Sequence, residues 1–270
     1  MDRNKKQLII AVCILSLTLL FGISAKFFSP HDPYKTDLSI ALLSPCAEYP
    51  FGTDNLGRCI LSRVLEGAAT SIFSAVFVVL CVSVIGTAVG ICAGFFGGTV
   101  DKVLMRLTMI VQAFPSYVLA VAIAGMLGTG MKNAVIALVV MYWTIYARLS
   151  RSLVMQIRNE NYIKVAKLCG AGNGDILLKY ILPNVLSPLI VTAALDIAGM
   201  MLSMAGLSFL GLGAQPPLVE WGILISNSRN FLQVAPWCLV FPSLFLFLVV
   251  VLFNFAGDRL RDYMALKGEN

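Results

Sequence analysis

The feature that most constrains this chain is a series of long segments without Asp, Glu, Lys or Arg. They run from Gln7 to Ala25, Gly67 to Val100, Leu107 to Met131, Asn133 to Ala147, Tyr180 to Val219 (interrupted by Asp196) and Asn230 to Gly257. A helix needs about 20 apolar residues to cross the hydrocarbon of a bilayer, so the segments predict an all-α polytopic membrane protein with six transmembrane helices. Only 13% of the 270 residues are charged, against about 25% in a soluble domain, which leaves little to solvate a separate globular unit. The segments are continuously apolar and do not alternate with period two, which argues against a β-barrel.

Lys5 and Lys6 ahead of an apolar run resemble a cleavable signal, but Ile23 is too large for the position three before a cleavage site and further spans follow. The first run is therefore expected to stay as a helix. The expected organisation is a cytoplasmic N-terminus over 1–7, a first transmembrane helix over 8–26 and an extracytoplasmic segment over 27–66. A transmembrane core follows over 67–257, with a cytoplasmic loop at 148–183, and then a cytoplasmic tail over 258–270. With this topology Lys26, Lys35, Arg58, Arg63, Lys132 and Arg229 lie outside, and the other fourteen of the 20 basic residues lie inside. That asymmetry places both termini in the cytoplasm. The net charge of +6 is thus an orientation signal, and no nucleic-acid partner is implied.

Several residues stand out from this background. Gly86, Gly90, Gly94 and Gly98 recur every four residues and give one face without side chains. Such a face suits close backbone approach, either to a helix of this chain or to one of another. Pro115 is expected to kink the third span. Asp196 lies deep in the fifth run, where an ionised carboxylate costs on the order of 3 kcal/mol unless it meets water or a partner. With Met200 and Met204 at helical spacing it marks either a polar point on a translocation pathway or a carboxyl bonded to a neighbouring helix among methionines of the core. Cys46 and Cys59 either pair outside the membrane or stay free thiols. From Glu160 to Pro183 the pattern is helix, glycine-rich break (Gly170, Gly172, Gly174), helix, giving an amphipathic hairpin against the cytoplasmic face.

Catalytic machinery is missing from the pattern. There is no phosphate-binding G-x-x-x-x-G-K-[ST] loop, His31 is the one histidine, and no C-x-x-C spacing occurs. No catalytic residue, metal site or cofactor is expected on this chain, and energy for uphill transport would have to come from another chain or an ion gradient.

The hairpin resembles the cytoplasmic loop of binding-protein-dependent ATP-binding-cassette permeases. Ala166, Gly170, Leu182 and Pro183 match that loop, while Lys164 stands where the family usually carries glutamate and Tyr180 replaces an isoleucine. Phe51-Gly52-Thr53-Asp54-Asn55-Leu56-Gly57-Arg58, Gly94-Phe95-Phe96-Gly97-Gly98-Thr99-Val100-Asp101, Leu207-Ser208-Phe209-Leu210-Gly211-Leu212-Gly213, Glu220-Trp221-Gly222 and Phe253-Asn254-Phe255-Ala256-Gly257-Asp258 are similar to the dipeptide, oligopeptide and nickel permease group, in its "C"-type subunits.

The resemblance implies a type I importer fold in a bacterial plasma membrane and a heterodimer with a second permease subunit. It also implies two cytoplasmic ATP-binding subunits that hold ATP and magnesium, and an extracytoplasmic solute-binding protein. The hairpin from Glu160 to Pro183, with Lys164, Ala166, Gly170, Leu182 and Pro183, would then be the ATPase-coupling element. Motifs around Gly128, Arg148 and Asp196 look closer to the nickel-type branch, so nickel or a metal chelate is the expected cargo, with a short peptide as alternative. A secondary transporter driven by an ion gradient is the competing class. It would usually show more embedded charge and an inverted repeat.

Overall fold

The computed structural model describes residues 3–268, with side chains over 6–264, so the outermost parts of the expected termini, with Arg3, Lys5 and Lys267, lie outside the described side chains. Among the described residues nine α-helices follow one another, besides short 3-10 turns: α1 (Arg3–Ser24), α2 (Ile60–Phe96), α3 (Gly98–Gln112), α4 (Ser116–Leu127), α5 (Met131–Arg158), α6 (Asn161–Leu168), α7 (Asn173–Phe209), α8 (Trp221–Ser228) and α9 (Trp237–Gly268). Among the described residues the only strand-type pairing is an isolated bridge between Thr53 and Cys59. Long apolar helices suit a lipid environment because each satisfies its own backbone groups. Their outward faces carry large exposed apolar side chains such as Phe77, Leu80, Val84, Phe247 and Leu248.

Five of these helices are long and apolar enough to cross a membrane, and a sixth crossing needs α3 and α4 taken together. The expected kink at Pro115 is a break: α3 and α4 are bent by 83° across Ala113 to Pro115. Proline has no N–H and disfavours helical geometry in the residue before it, so the chain turns there and restarts at Ser116.

Charge proves a poor marker of where α5 ends. Arg148 and Arg151 open the segment expected to be cytoplasmic, and the helix runs through both of them to Arg158. Both guanidinium groups are satisfied sideways: Arg148 donates to Gln112 Oε1 at 2.6 Å, and Arg151 donates to both carboxylate oxygens of Asp101. Bidentate arginine–carboxylate pairing is the strong form of this contact, and here it fastens α3 to α5.

The centre of the bundle is the α2–α5 pair. A Cβ on Gly86 would overlap the backbone of Trp143, one on Gly90 would overlap Ser150 Oγ and Ala147 O, and one on Gly94 would come to 2.8 Å from Val154 Cβ. Three of the four glycines therefore serve packing within this chain. Gly98 departs from the stripe: it follows the turn at Gly97, has φ +55 and has nothing within 4 Å of a Cβ. Arg158 closes the α2 end by donating to Gly94 O at 3.1 Å and Phe95 O at 2.9 Å, a cation on carbonyls the helix leaves free.

At the opposite end α8 is capped by Glu220, which is fully buried and accepts from Gly222 N at 2.9 Å and Ile223 N at 3.1 Å. Ser71 of α2 donates to the same carboxylate and accepts from Trp221 N, and Trp221 Nε1 donates to Val64 O at 2.8 Å. Burial pushes the Glu220 carboxyl above its ordinary value, and the surrounding N–H and hydroxyl donors pull against that. We expect Glu220→Ala to orphan two buried N–H groups and cost about 1–3 kcal/mol. Glu220→Gln, which keeps an acceptor, should cost less. Thermal unfolding in detergent reads the difference; equal midpoints for the two variants would deny the cap its role.

Candidate functional site

The hairpin at the α5–α7 end owes its shape to one glycine. Helix α6 terminates with Gly170 at φ +87, Gly170 N donates to Lys167 O at 3.0 Å, and Ala171 N donates to Ala166 O at 3.0 Å. This pair of bonds is a Schellman stop, and the left-handed residue it needs is cheap only for glycine. A Cβ on Gly170 would find nothing within 4 Å, so conformation and not space selects the residue. Ala166 and Gly170, matched from sequence, thus belong to one hydrogen-bonded device.

After the turn, α7 opens with Asn173–Asp175 and continues through six residues in π-helical geometry, Ile176–Ile181, and Leu182 N donates back to Leu177 O. Pro183 follows directly; its ring would crowd the carbonyl four residues earlier, and the wider turn gives room. Asn184 Nδ2 donates to the Tyr180 carbonyl at 2.6 Å. Ile163, Ile176 and Ile181 are buried and hold the hairpin to the bundle. Tyr162, Val165, Leu178 and Leu168 (87%) are exposed, and Tyr162 also lies against Tyr180, with ring centroids 6.3 Å apart. Lys164 is exposed, with Nζ 3.3 Å from Asn161 Oδ1.

Halfway along α7, Asp196 is half-buried and accepts a hydrogen bond from Tyr146 Oη of α5 at 2.7 Å. Met200 (4% exposed) and Met204 (1%) point into the core, away from any open surface of this chain. Asp196 shares its less buried side with Gly199, Ser203 and Gly206, and the hydroxyl of Tyr117 lies where a side chain on Gly206 would stand. Gln112 adds a polar bridge nearby, donating to Thr144 Oγ1 at 3.1 Å while accepting from Arg148. Tyr146, Gln112 and Glu220 were not singled out individually from the sequence. A tyrosine or glutamine inside an apolar run is the one signal that could have found the first two.

The segment between α1 and α2 is fixed by Asp54. Its Oδ1 accepts from the backbone of Leu56 and Arg58, and its Oδ2 accepts from Arg58 Nε at 2.8 Å. Gly57 sits at φ +72 against Asp37, which explains a glycine in that motif. Cys46 is exposed, Cys59 is buried, and both are free thiols.

Residues 86–267 match the family model described as "Binding-protein-dependent transport system inner membrane component". The chain is 38% identical over 255 residues to the nickel transport system permease protein NikC of Escherichia coli, covering 94% of this chain and 92% of that one. It is 41% identical over 260 residues to the dipeptide transport system permease protein DppC of Alkalihalophilus pseudofirmus, covering 96% and 86% respectively. A solved structure of the MetNI methionine ABC transporter in inward-facing form is 18% identical, with a TM-score of 0.54 over 72% of this chain and 94% of that chain; that likeness concerns the fold.

Proposed function

This chain belongs to the binding-protein-dependent transport system inner membrane component family, and from that premise we propose that it pairs with a second permease subunit to enclose the translocation pathway of an ABC importer. Two ATP-binding subunits, carrying ATP and magnesium, dock under the hairpin, and a solute-binding protein docks over the opposite end. The membrane is the bacterial plasma membrane, with both termini cytoplasmic, a placement supported by the fourteen-to-six division of basic residues.

The observation that carries the coupling role is the exposed apolar set Tyr162, Val165, Leu168 and Leu178 on a hairpin whose other face, with Ile163, Ile176 and Ile181, is buried against the bundle. An unpartnered apolar patch rimmed by Lys164 and Lys167 is suited to a groove in another protein. Closure of paired ATPases against such an element tilts the helices attached to it. Lys164 makes a different charge contact there from the glutamate usual in the family.

The cargo we assign is nickel or a metal chelate, with Asp196 as the polar point on the path. A short peptide is the second reading, favoured by the 41% identity to a protein named for dipeptide transport. The test is uptake into proteoliposomes holding the assembled complex. Transport should require ATP and all partners, and uptake by this chain without an ATPase would overturn the reading. Asp196→Asn should lower nickel-chelate uptake about tenfold, the scale of one lost charge-assisted contact. Complex yield should not change, because Tyr146 can still donate to the amide oxygen. Wild-type uptake by this variant would reduce Asp196 to a packing residue.

A further inference from the structure

Beside the Asp54 loop lies a recess of about 820 Å³, walled by the α1–α2 connection, the α7–α8 loop, α8 and the turn that follows it. Its charged lining is Arg58, Arg63 and Arg229, with Asn227 and Asn230 between them. Arg63 is only 6% exposed, yet its Nε has no hydrogen-bond partner. The nearest acid, Asp54, stands 3.6 Å away, beyond hydrogen-bond reach, because its oxygens are already committed to Arg58 and to two backbone N–H groups. Arg63 Nη1 donates to Pro33 O at 3.1 Å. Arg229 is exposed, and among the described residues it has no carboxylate within ion-pair distance. At the rim Glu66 accepts from Tyr34 Oη at 3.3 Å. Arg58 and Arg63 thus share one saturated acid, and Arg229 stands without one among the described residues.

A buried guanidinium with a free N–H is costly unless something completes it. Guanidinium forks match carboxylates in geometry as well as charge. The remaining walls narrow the ligand: Asn227 and Asn230 offer amide donors and acceptors, and Ile223 and Phe231 offer apolar surface. The volume lies within the range of about 300–1,000 Å³ usual for small-molecule sites. A hydrated inorganic ion would leave the apolar wall idle, whereas a small organic carboxylate uses all three kinds of surface.

We propose that this recess is a binding site for the carboxylate group of a small organic solute, with Arg63 and Arg229 as its anchors. It rests on the permease reading, under which this face is external and the solute is cargo on arrival. The carboxylate can belong to a peptide C-terminus or to the organic ligand of a metal chelate, and the same two arginines would take either.

The test uses the assembled transporter in lipid nanodiscs and ligand-observed NMR titration with glycyl-leucine, glycyl-leucinamide and nickel(II) citrate. Glycyl-leucine or nickel(II) citrate should bind, and glycyl-leucinamide should bind at least about tenfold more weakly than glycyl-leucine, the scale of one lost charge-assisted bond. Binding of one acid only would assign the carboxylate to that source; both support the site. Arg229→Gln, an exposed change that leaves folding intact, should weaken the acid that binds about tenfold, and Arg63→Lys should weaken it as well by removing the fork. Equal binding of the acid and its amide, or indifference to both arginine changes, overturns the proposal. So does a result in which no free acid binds and the variants instead weaken docking of the solute-binding protein. ATP-dependent uptake by the same wild-type preparation is read in parallel: uptake with no acid selectivity sinks the site alone, and acid selectivity without ATP-dependent uptake sinks the permease reading alone.

Discussion

Gly90→Leu is expected to leave almost no folded protein in the membrane fraction. A side chain at this position has to displace Ser150 Oγ and the Ala147 carbonyl, and the second is helix backbone that cannot rotate away. Overpacking of a close helix contact costs about 3 kcal/mol or more when backbone must move. The α2–α5 contact is the spine on which α3, α4 and α7 are assembled, so the loss is global. Gly125→Leu is the control, since a Cβ there meets nothing within 4 Å. Quantitative immunodetection of membrane extracts and the thermal midpoint of the purified complex read both. A Gly90→Leu protein of normal yield and midpoint would show that the two helices are free to separate.

Gly170→Val should produce the opposite pattern, a well-folded complex whose transport is reduced about tenfold. Nothing surrounds the new side chain, but a β-branched residue at φ +87 carries roughly 1–2 kcal/mol of backbone strain. That is enough to shift the turn about tenfold away from its native form. The bonds from Gly170 and Ala171 back to Lys167 and Ala166 are then lost in most molecules, and the exposed patch of α6 changes direction. Uptake should fall by about that factor, with yield unchanged. Gly170→Asn separates conformation from volume, because asparagine tolerates left-handed backbone at little cost. It should retain most uptake; an asparagine variant as impaired as the valine one would mean that side-chain bulk at the ATPase contact is the cause.

The architecture was legible wherever lipid dictates the pattern. Continuous apolar runs locate the long helices, and the rising need for small residues at close contacts is visible in the spacing of Gly86, Gly90 and Gly94. Legibility ended where polar groups pair across the fold. Arg148 and Arg151 look like loop residues in sequence, because their partners Gln112 and Asp101 are 36 and 50 positions away. Helical spacing groups Asp196 with Met200 and Met204 but cannot say which way the face turns; the methionines went to the core and the aspartate to Tyr146. Gly98 continues the four-residue rhythm only in the one-dimensional string, since the left-handed turn at Gly97 takes it off the helix. Arg58, Arg63 and Arg229 were counted as topology signals, and nothing local shows that two of them converge with the third from 166 positions further on, the interval from Arg63 to Arg229.

Helix α2 has 37 residues and is therefore about 55 Å long, against about 30 Å of hydrocarbon. Its first turn carries Arg63 at the recess, and its last carbonyls are clasped by Arg158 where α5 passes into the hairpin. A continuous helix of that length links the two mouths of the bundle mechanically. Any tilt imposed by a docked protein at the hairpin end must be felt at the recess as a lateral sweep, and occupancy of the recess must in turn bias the tilt. The two mouths are in this sense opposite arms of a single balance, with its fulcrum among the glycines that face α5.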